Sequence, residues 1–139
     1  MRQVFVDTAY WIAMLNRKDQ GHQSALSATE DLKKSGFHKL VTTQPVLTEV
    51  LSVFSEQGEF WKLQATEEVE KIMSDSNVIV IPQTNELFRR GLDFWKKRPD
   101  KGFSHVDCMS MVIMKERGVD EVLTSDTHFE QEGFVILMK

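Results

Sequence analysis

Short apolar runs alternate along the chain with longer stretches in which apolar residues recur every three or four positions, and these two periods separate strands from helices. Residues 3 to 6, ending Val4-Phe5-Val6, are too short and too evenly apolar for an amphipathic helix, so a buried strand is predicted there. Helical spacing takes over from Thr8 to Leu15, which leaves Asp7 at the turn between the two. His22 to Lys34 reads as a polar amphipathic helix stopped by Ser35-Gly36, and Leu40-Val41-Thr42 as a second strand. Thr43, with Pro45 close behind, opens a helix through Val46, Leu47, Val50, Leu51, Val53 and Phe54 toward Gly58; another helix is expected from Glu59 to Met73. Val78 to Ile81 is a third strand, ended by Pro82.

Thr84 is placed to cap a helix from Asn85 to Lys97, and the loop from Arg98 to Gly102 separates it from a very apolar helix, Ser104 to Arg117, stopped by Gly118. Glu121 to Leu123 and Phe134 to Leu137 complete five strands, with a helical turn from Asp126 to Gln131 between them. Strands that alternate with helices predict an α/β fold whose mostly parallel sheet is covered on both faces. No repeat, low-complexity tract or linker interrupts the 139 residues, so one domain over 1–139 is expected.

Composition narrows the class. Hydrophobic residues at 41% and charged residues at 27% are ordinary globular values, which argue against a disordered or coiled-coil protein. The single cysteine, Cys108, excludes an internal disulfide and any cysteine-rich metal site, and it fits a reducing, cytoplasmic location. No apolar run approaches the roughly 18 residues of a membrane span, and the first residues lack the pattern of a signal peptide. The formal net charge of -4 opposes a phosphate-rich partner, but acids gathered inside a cleft would account for much of it. Lys33-Lys34, Arg89-Arg90 and Lys96-Lys97-Arg98 remain local basic clusters.

Four acids stand out against this background. Asp7 and Asp126 each follow a strand, and in an open parallel sheet ligands bind just beyond the carboxyl ends of the strands. Glu49 borders the apolar stripe formed by Val46, Val50 and Val53, and Asp107 lies on the helix that carries Met109, Met111 and Met114. Each acid has an ordinary alternative. Asp7 and Asp126 are suited to cap the helical segments that follow, Ser104 and Asp107 have capping-box spacing, and acids at the edge of a stripe are usually solvated. Convergence favours a site, since all four can reach one crevice. Gathered carboxylates repel, so such a cluster calls for a cation. Oxygen donors suit Mg2+ or Mn2+ better than zinc, and an ion so held favours phosphoester chemistry.

Other motifs fail. The chain has neither a G-x-x-x-x-G-K-[ST] phosphate loop nor a G-x-G-x-x-G fingerprint. Ala9 stands where an aspartyl-phosphate phosphatase has its second acid. His22, His38, His105 and His128 show no H-E-x-x-H spacing and are read as surface or core residues, although His105 and His128 lie close to Asp107 and Asp126. Cys108 and the methionines are read as core. Lys96, Lys97, Arg98 and Lys101 form a basic rim able to hold a phosphate backbone, and Phe94, Trp95 and Phe103 lie among them as possible stacking platforms, a buried role being the simpler one.

Taken in order, Asp7-Thr8, Glu49 within Thr43-Gln44-Pro45-Val46-Leu47-Thr48-Glu49-Val50, Asp107 within Gly102-Phe103-Ser104-His105-Val106-Asp107-Cys108, and Thr124-Ser125-Asp126 followed by Phe129 resemble the PIN domain family, and most closely its stand-alone VapC-type toxin ribonucleases. The resemblance spans nearly the whole chain. It implies a three-layer α/β/α sandwich around a five-stranded sheet, with Asp7, Glu49, Asp107 and Asp126 binding Mg2+ or Mn2+. It further implies that Thr124 helps order the site, a role Ser125 could share, and that the reaction is metal-dependent hydrolysis of RNA phosphodiesters. A small antitoxin partner and a homodimer are part of the same expectation. Ala9 departs from the small polar residue that many members carry after Asp-Thr. A PIN-like module that binds RNA or protein without cleaving it, and a metal-dependent phosphatase, are the competing readings.

Overall fold

The structure, a computed structural model, describes residues 2–36 and 38–139. Its elements follow the order β1 (Arg2–Val6), α1 (Thr8–Leu15), α2 (His22–Lys34), β2 (His38–Thr43), α3 (Gln44–Phe54), α4 (Glu59–Ser74), β3 (Val78–Ile81), α5 (Asn85–Lys96), α6 (His105–Arg117), β4 (Glu121–Leu123), α7 (His128–Gln131) and β5 (Val135–Ile136). The five strands form one sheet in the order β3-β2-β1-β4-β5, and every pairing is parallel. Successive strand residues point to opposite faces, yet Val4, Phe5 and Val6 are all fully buried, so helices cover both faces of the sheet. The α/β/α architecture expected from the sequence is the one found.

Local chemistry sets the element boundaries. The Thr43 hydroxyl accepts from the Val46 N–H at 3.2 Å, and that of Thr84 from the Leu87 N–H at 3.0 Å, which starts α3 and α5 where those threonines predict. Ser104 and Asp107 cap α6 reciprocally, and Gly118, in the left-handed region at φ 67, ends it. Asp107 through Met114 are buried without interruption, so α6 is the central helix of its layer. It lies close against α5, because a Cβ at Gly91 would come within 2.5 Å of Met109 Cγ.

Strand ends differ modestly from the sequence reading. β2 extends from His38 rather than Leu40, drawn into register with Arg2 of β1. β5 is only Val135–Ile136, since the Phe134 N–H turns back to the Phe129 carbonyl at 3.1 Å and its ring joins the core. Among the described residues no helix is long and apolar enough to cross a membrane.

The strand order decides where a site forms. From β1 the chain moves outward through β2 to β3, then returns to the other side of β1 to lay down β4 and β5. The carboxyl ends of β1 and β4 therefore flank the point where the winding reverses, which is where open α/β sheets open a crevice. The Asp7 N–H donates to the Leu123 carbonyl at 3.2 Å, tying the two ends together just above the sheet.

Candidate active site

Asp7, Glu49, Asp107 and Asp126 line one crevice at this end of the sheet, together with Thr8, Ala9, Ile12, Gly102, Ser104 and His128. The four acids expected from the sequence to reach one crevice lie together in it. Asp7 occupies the N-cap position of α1 but makes no side-chain cap; its Oδ2 accepts instead from the Thr124 hydroxyl at 2.9 Å. The same hydroxyl oxygen accepts the Asp126 N–H at 3.1 Å, so the fully buried Thr124 joins the two strand-end acids. Ser125, expected to share this role, is exposed and lies outside the crevice lining.

The other acids are fixed by equally local means. Thr8, one residue after Asp7, donates to Glu49 Oε1 at 2.6 Å and draws α3 toward α1. Asp107 Oδ2 accepts the Ser104 N–H at 3.1 Å, so the capping box and the site use the same carboxylate. Asp126 Oδ1 accepts the His128 N–H at 2.9 Å, an Asx-type turn that opens α7. Glu49, Asp107 and Asp126 are each anchored through one oxygen, and their second oxygens make no hydrogen bond within the described residues.

Burial and mutual repulsion raise the proton affinity of Asp7, Glu49 and Asp107. Burial above all, together with the charges of Asp107 and Glu49, pushes Asp7 up to about 7 despite hydrogen bonds from the Thr8 backbone and Thr124. Burial likewise raises Glu49 against the Thr8 hydroxyl, and Asp107 against the Ser104 N–H. A cluster this acidic and this dry needs positive charge to ionise fully at neutral pH. Anchored carboxylates with free second oxygens suit a small hard cation, and Asp107, Asp126 and His128 are placed closely enough to hold a metal.

Other residues singled out in the sequence sort clearly. His105 turns away, with Nε2 at 2.9 Å from the Phe88 carbonyl and its ring edge-on to Phe88. Cys108 is fully buried, which pushes its thiol up to about 11 and leaves it an inert core group. Phe103 is buried and Phe94 carries the Arg98 guanidinium on its face, so of the three aromatics only Trp95 is exposed. Arg98 is itself held by Glu132, leaving Lys96, Lys97 and Lys101 as the exposed part of the basic rim. His128, read from sequence as surface or core, instead faces the acids. Its position two residues after Asp126 was the available signal.

An all-parallel sheet that gathers four acids at its switch point defines a nuclease-like α/β class, and the chain belongs to the PIN domain family, whose profile matches residues 4–134. Among characterised relatives, the VapC ribonuclease of Archaeoglobus fulgidus is 24% identical over 125 residues, spanning 89% of this chain and 77% of that protein. The 23S rRNA-specific endonuclease VapC20 of Mycobacterium tuberculosis is 26% identical over 139 residues, 95% of each chain. The crystal structure of VapC20, described as a sarcin-ricin loop cleaving toxin, superposes with a TM-score of 0.81 at 24% identity over 95% of this chain and 96% of that one. VapBC2 of Rickettsia felis, solved on a DNA fragment from its promoter, gives 0.68 at 14% identity over 96% of both chains.

Proposed function

We propose that this chain is a metal-dependent endoribonuclease that hydrolyses RNA phosphodiester bonds, acting as one nuclease domain over residues 1–139. The observation that carries the reading is the meeting of Asp7, Glu49, Asp107 and Asp126 in one crevice, anchored so that carboxylate oxygens remain available. These four would hold Mg2+ or Mn2+. Bound there, the ion would supply Lewis-acid polarisation of the scissile phosphate and lower the pKa of a water, so that its hydroxide form is available as nucleophile. The protein's own contribution is to fix the donors in advance. Thr124 keeps Asp7 and Asp126 in step, Thr8 orients Glu49, and the Ser104 N–H keeps Asp107 from rotating.

A toxin role supports itself on the relatives, one of which is an endonuclease of ribosomal RNA and another part of a VapBC assembly. By that analogy the chain pairs with a small antitoxin, and the family resemblance adds a homodimer to the proposal. Phe60 and Leu63 on α4, with Leu51 and Val53 on α3, are exposed apolar side chains available to a protein partner.

The test uses purified protein, structured RNA and Mg2+ or Mn2+, with and without chelator, beside Asp107→Asn. Asparagine can still accept the Ser104 N–H, so the cap survives while the charge is lost. Cleavage is expected to need the ion and to fall about 100-fold or more in the variant, roughly 3 kcal/mol of transition-state stabilisation. Cleavage that persists under both treatments rules the mechanism out.

A further inference from the structure

The His128 ring is the one titratable side chain in the crevice that the proposed reaction leaves without a task. Its Nδ1 is hydrogen-bonded to Asp107 Oδ2 at 3.3 Å and lies equally far from Asp126 Oδ1, a charge contact without hydrogen-bond geometry. Those two oxygens are the anchored ones, since Asp107 Oδ2 already accepts the Ser104 N–H and Asp126 Oδ1 the His128 N–H. A nitrogen set against the anchored oxygens, rather than the free ones, belongs with the anchors.

We propose that His128 is a positioning residue whose Nδ1–H is shared between Asp107 and Asp126, clamping the two carboxylates together so that their free oxygens face the cation. A bare imidazole lone pair at this position would face two carboxylate oxygens and add repulsion to a pair that already repels. A shared N–H reverses the sign of both contacts. The clamp acts on residues of separate elements, since Asp107 comes from α6 and Asp126 from the turn after β4. Without it, each acid keeps its own backbone anchor, and no other side chain among the described residues bridges the two.

The ring is held for this purpose. His128 begins α7 directly before Phe129, which is fully buried and pins the backbone. Phe103 meets the imidazole edge-on at 5.6 Å. Gly102 borders its far side, where a Cβ would sit 3.4 Å from Nε2.

Two measurements decide the matter, and the first does not depend on the nuclease reading. Heteronuclear NMR of the metal-free protein is expected to find a proton on His128 Nδ1. A proton on Nε2 alone overturns the clamp. In the second, Mn2+ affinity is compared for wild type, His128→Phe and His128→Asn, with folding of each checked by circular dichroism. The Phe variant is expected to bind about tenfold more weakly, the usual scale for losing a group that orients metal ligands. Asparagine, whose amide nitrogen takes the place of Nδ1, is expected to restore most of that loss. Equal affinity in the Phe variant, failure of Asn to restore it, or imidazole-nitrogen hyperfine coupling on bound Mn2+, which marks direct ligation, each overturns the proposal. If wild type takes up no Mn2+, the metal reading of the site fails, and the position of the proton still judges the clamp.

Discussion

Asp7 shows how a single residue joins function to a cost in stability. Its carboxyl is raised to about 7 from an ordinary 3.8, so the folded state holds a proton that the unfolded chain has released. Stability from this group is therefore complete below about pH 4 and declines as pH rises through about 7, by roughly 4 kcal/mol in all. In chelator, thermal melts should show Tm falling between about pH 5 and pH 8. Asp7→Asn keeps an acceptor for Thr124 and removes the buried charge, so it should flatten that profile and melt above wild type at the alkaline end. A variant that melts below wild type there would show that Asp7 is stabilised by something other than its proton. At this scale the sequence was informative about identity and silent about partners. Asp7 could be picked out from its place after a strand, but its bond to Thr124 spans 117 positions and depends on the closure of the sheet. The same holds for His128, whose contact with Asp107 becomes possible only when α6 and α7 meet.

Among the elements, caps and breakers were the legible part. Thr43, Thr84, Ser104 and Gly118 act within a turn of their own position, so the helix boundaries they set were readable. Contacts between elements were less so. Gly91 gave no signal as a turn, and its meaning is the close approach of α5 to α6. Gly91→Ala should gain about 1 kcal/mol in helix propensity and lose about 1–3 kcal/mol to overpacking against Met109, a net loss read as a lower urea midpoint with an unchanged slope. Arg98 was grouped with its neighbouring lysines, but its partner is Glu132, which also receives Lys115 and so ties the ends of α5 and α6 to the residue following α7. The Arg98 hydrogen bond, helped by Lys115, lowers Glu132 to about 2. Its contribution is present above the ordinary value of 4.5 and is lost as pH falls toward 2. Glu132→Gln should cost about 1–3 kcal/mol at neutral pH and little in strong acid, measurable by paired denaturation curves.

For the molecule as a whole, a net charge of -4 confines attraction for RNA to local patches. Lys101 is exposed beside Gly102, which lines the crevice, and Lys96 and Lys97 are exposed at the end of α5. RNA binding by the Asp107→Asn variant, followed by fluorescence anisotropy across salt concentrations, should weaken with added salt. Replacing Lys96 and Lys97 by alanine should flatten the logarithmic slope by about 0.7 for each lysine that touches a phosphate. An unchanged slope would place the RNA elsewhere. The fold class could be read at this scale because alternating strands and helices leave few topologies. The assembly of the site could not be read from periodicity, since it follows from the order in which strands join the sheet. That order also bears on synthesis. A ribosome delivers Asp7 long before Thr124 and Asp126, and β1 waits at the sheet's centre with one edge open until β4 arrives to fill it. A chain still being made thus carries Asp7, Glu49 and Asp107 without Asp126 or the Thr124 hydroxyl that holds Asp7, and the site is complete only once nearly all of the domain has emerged.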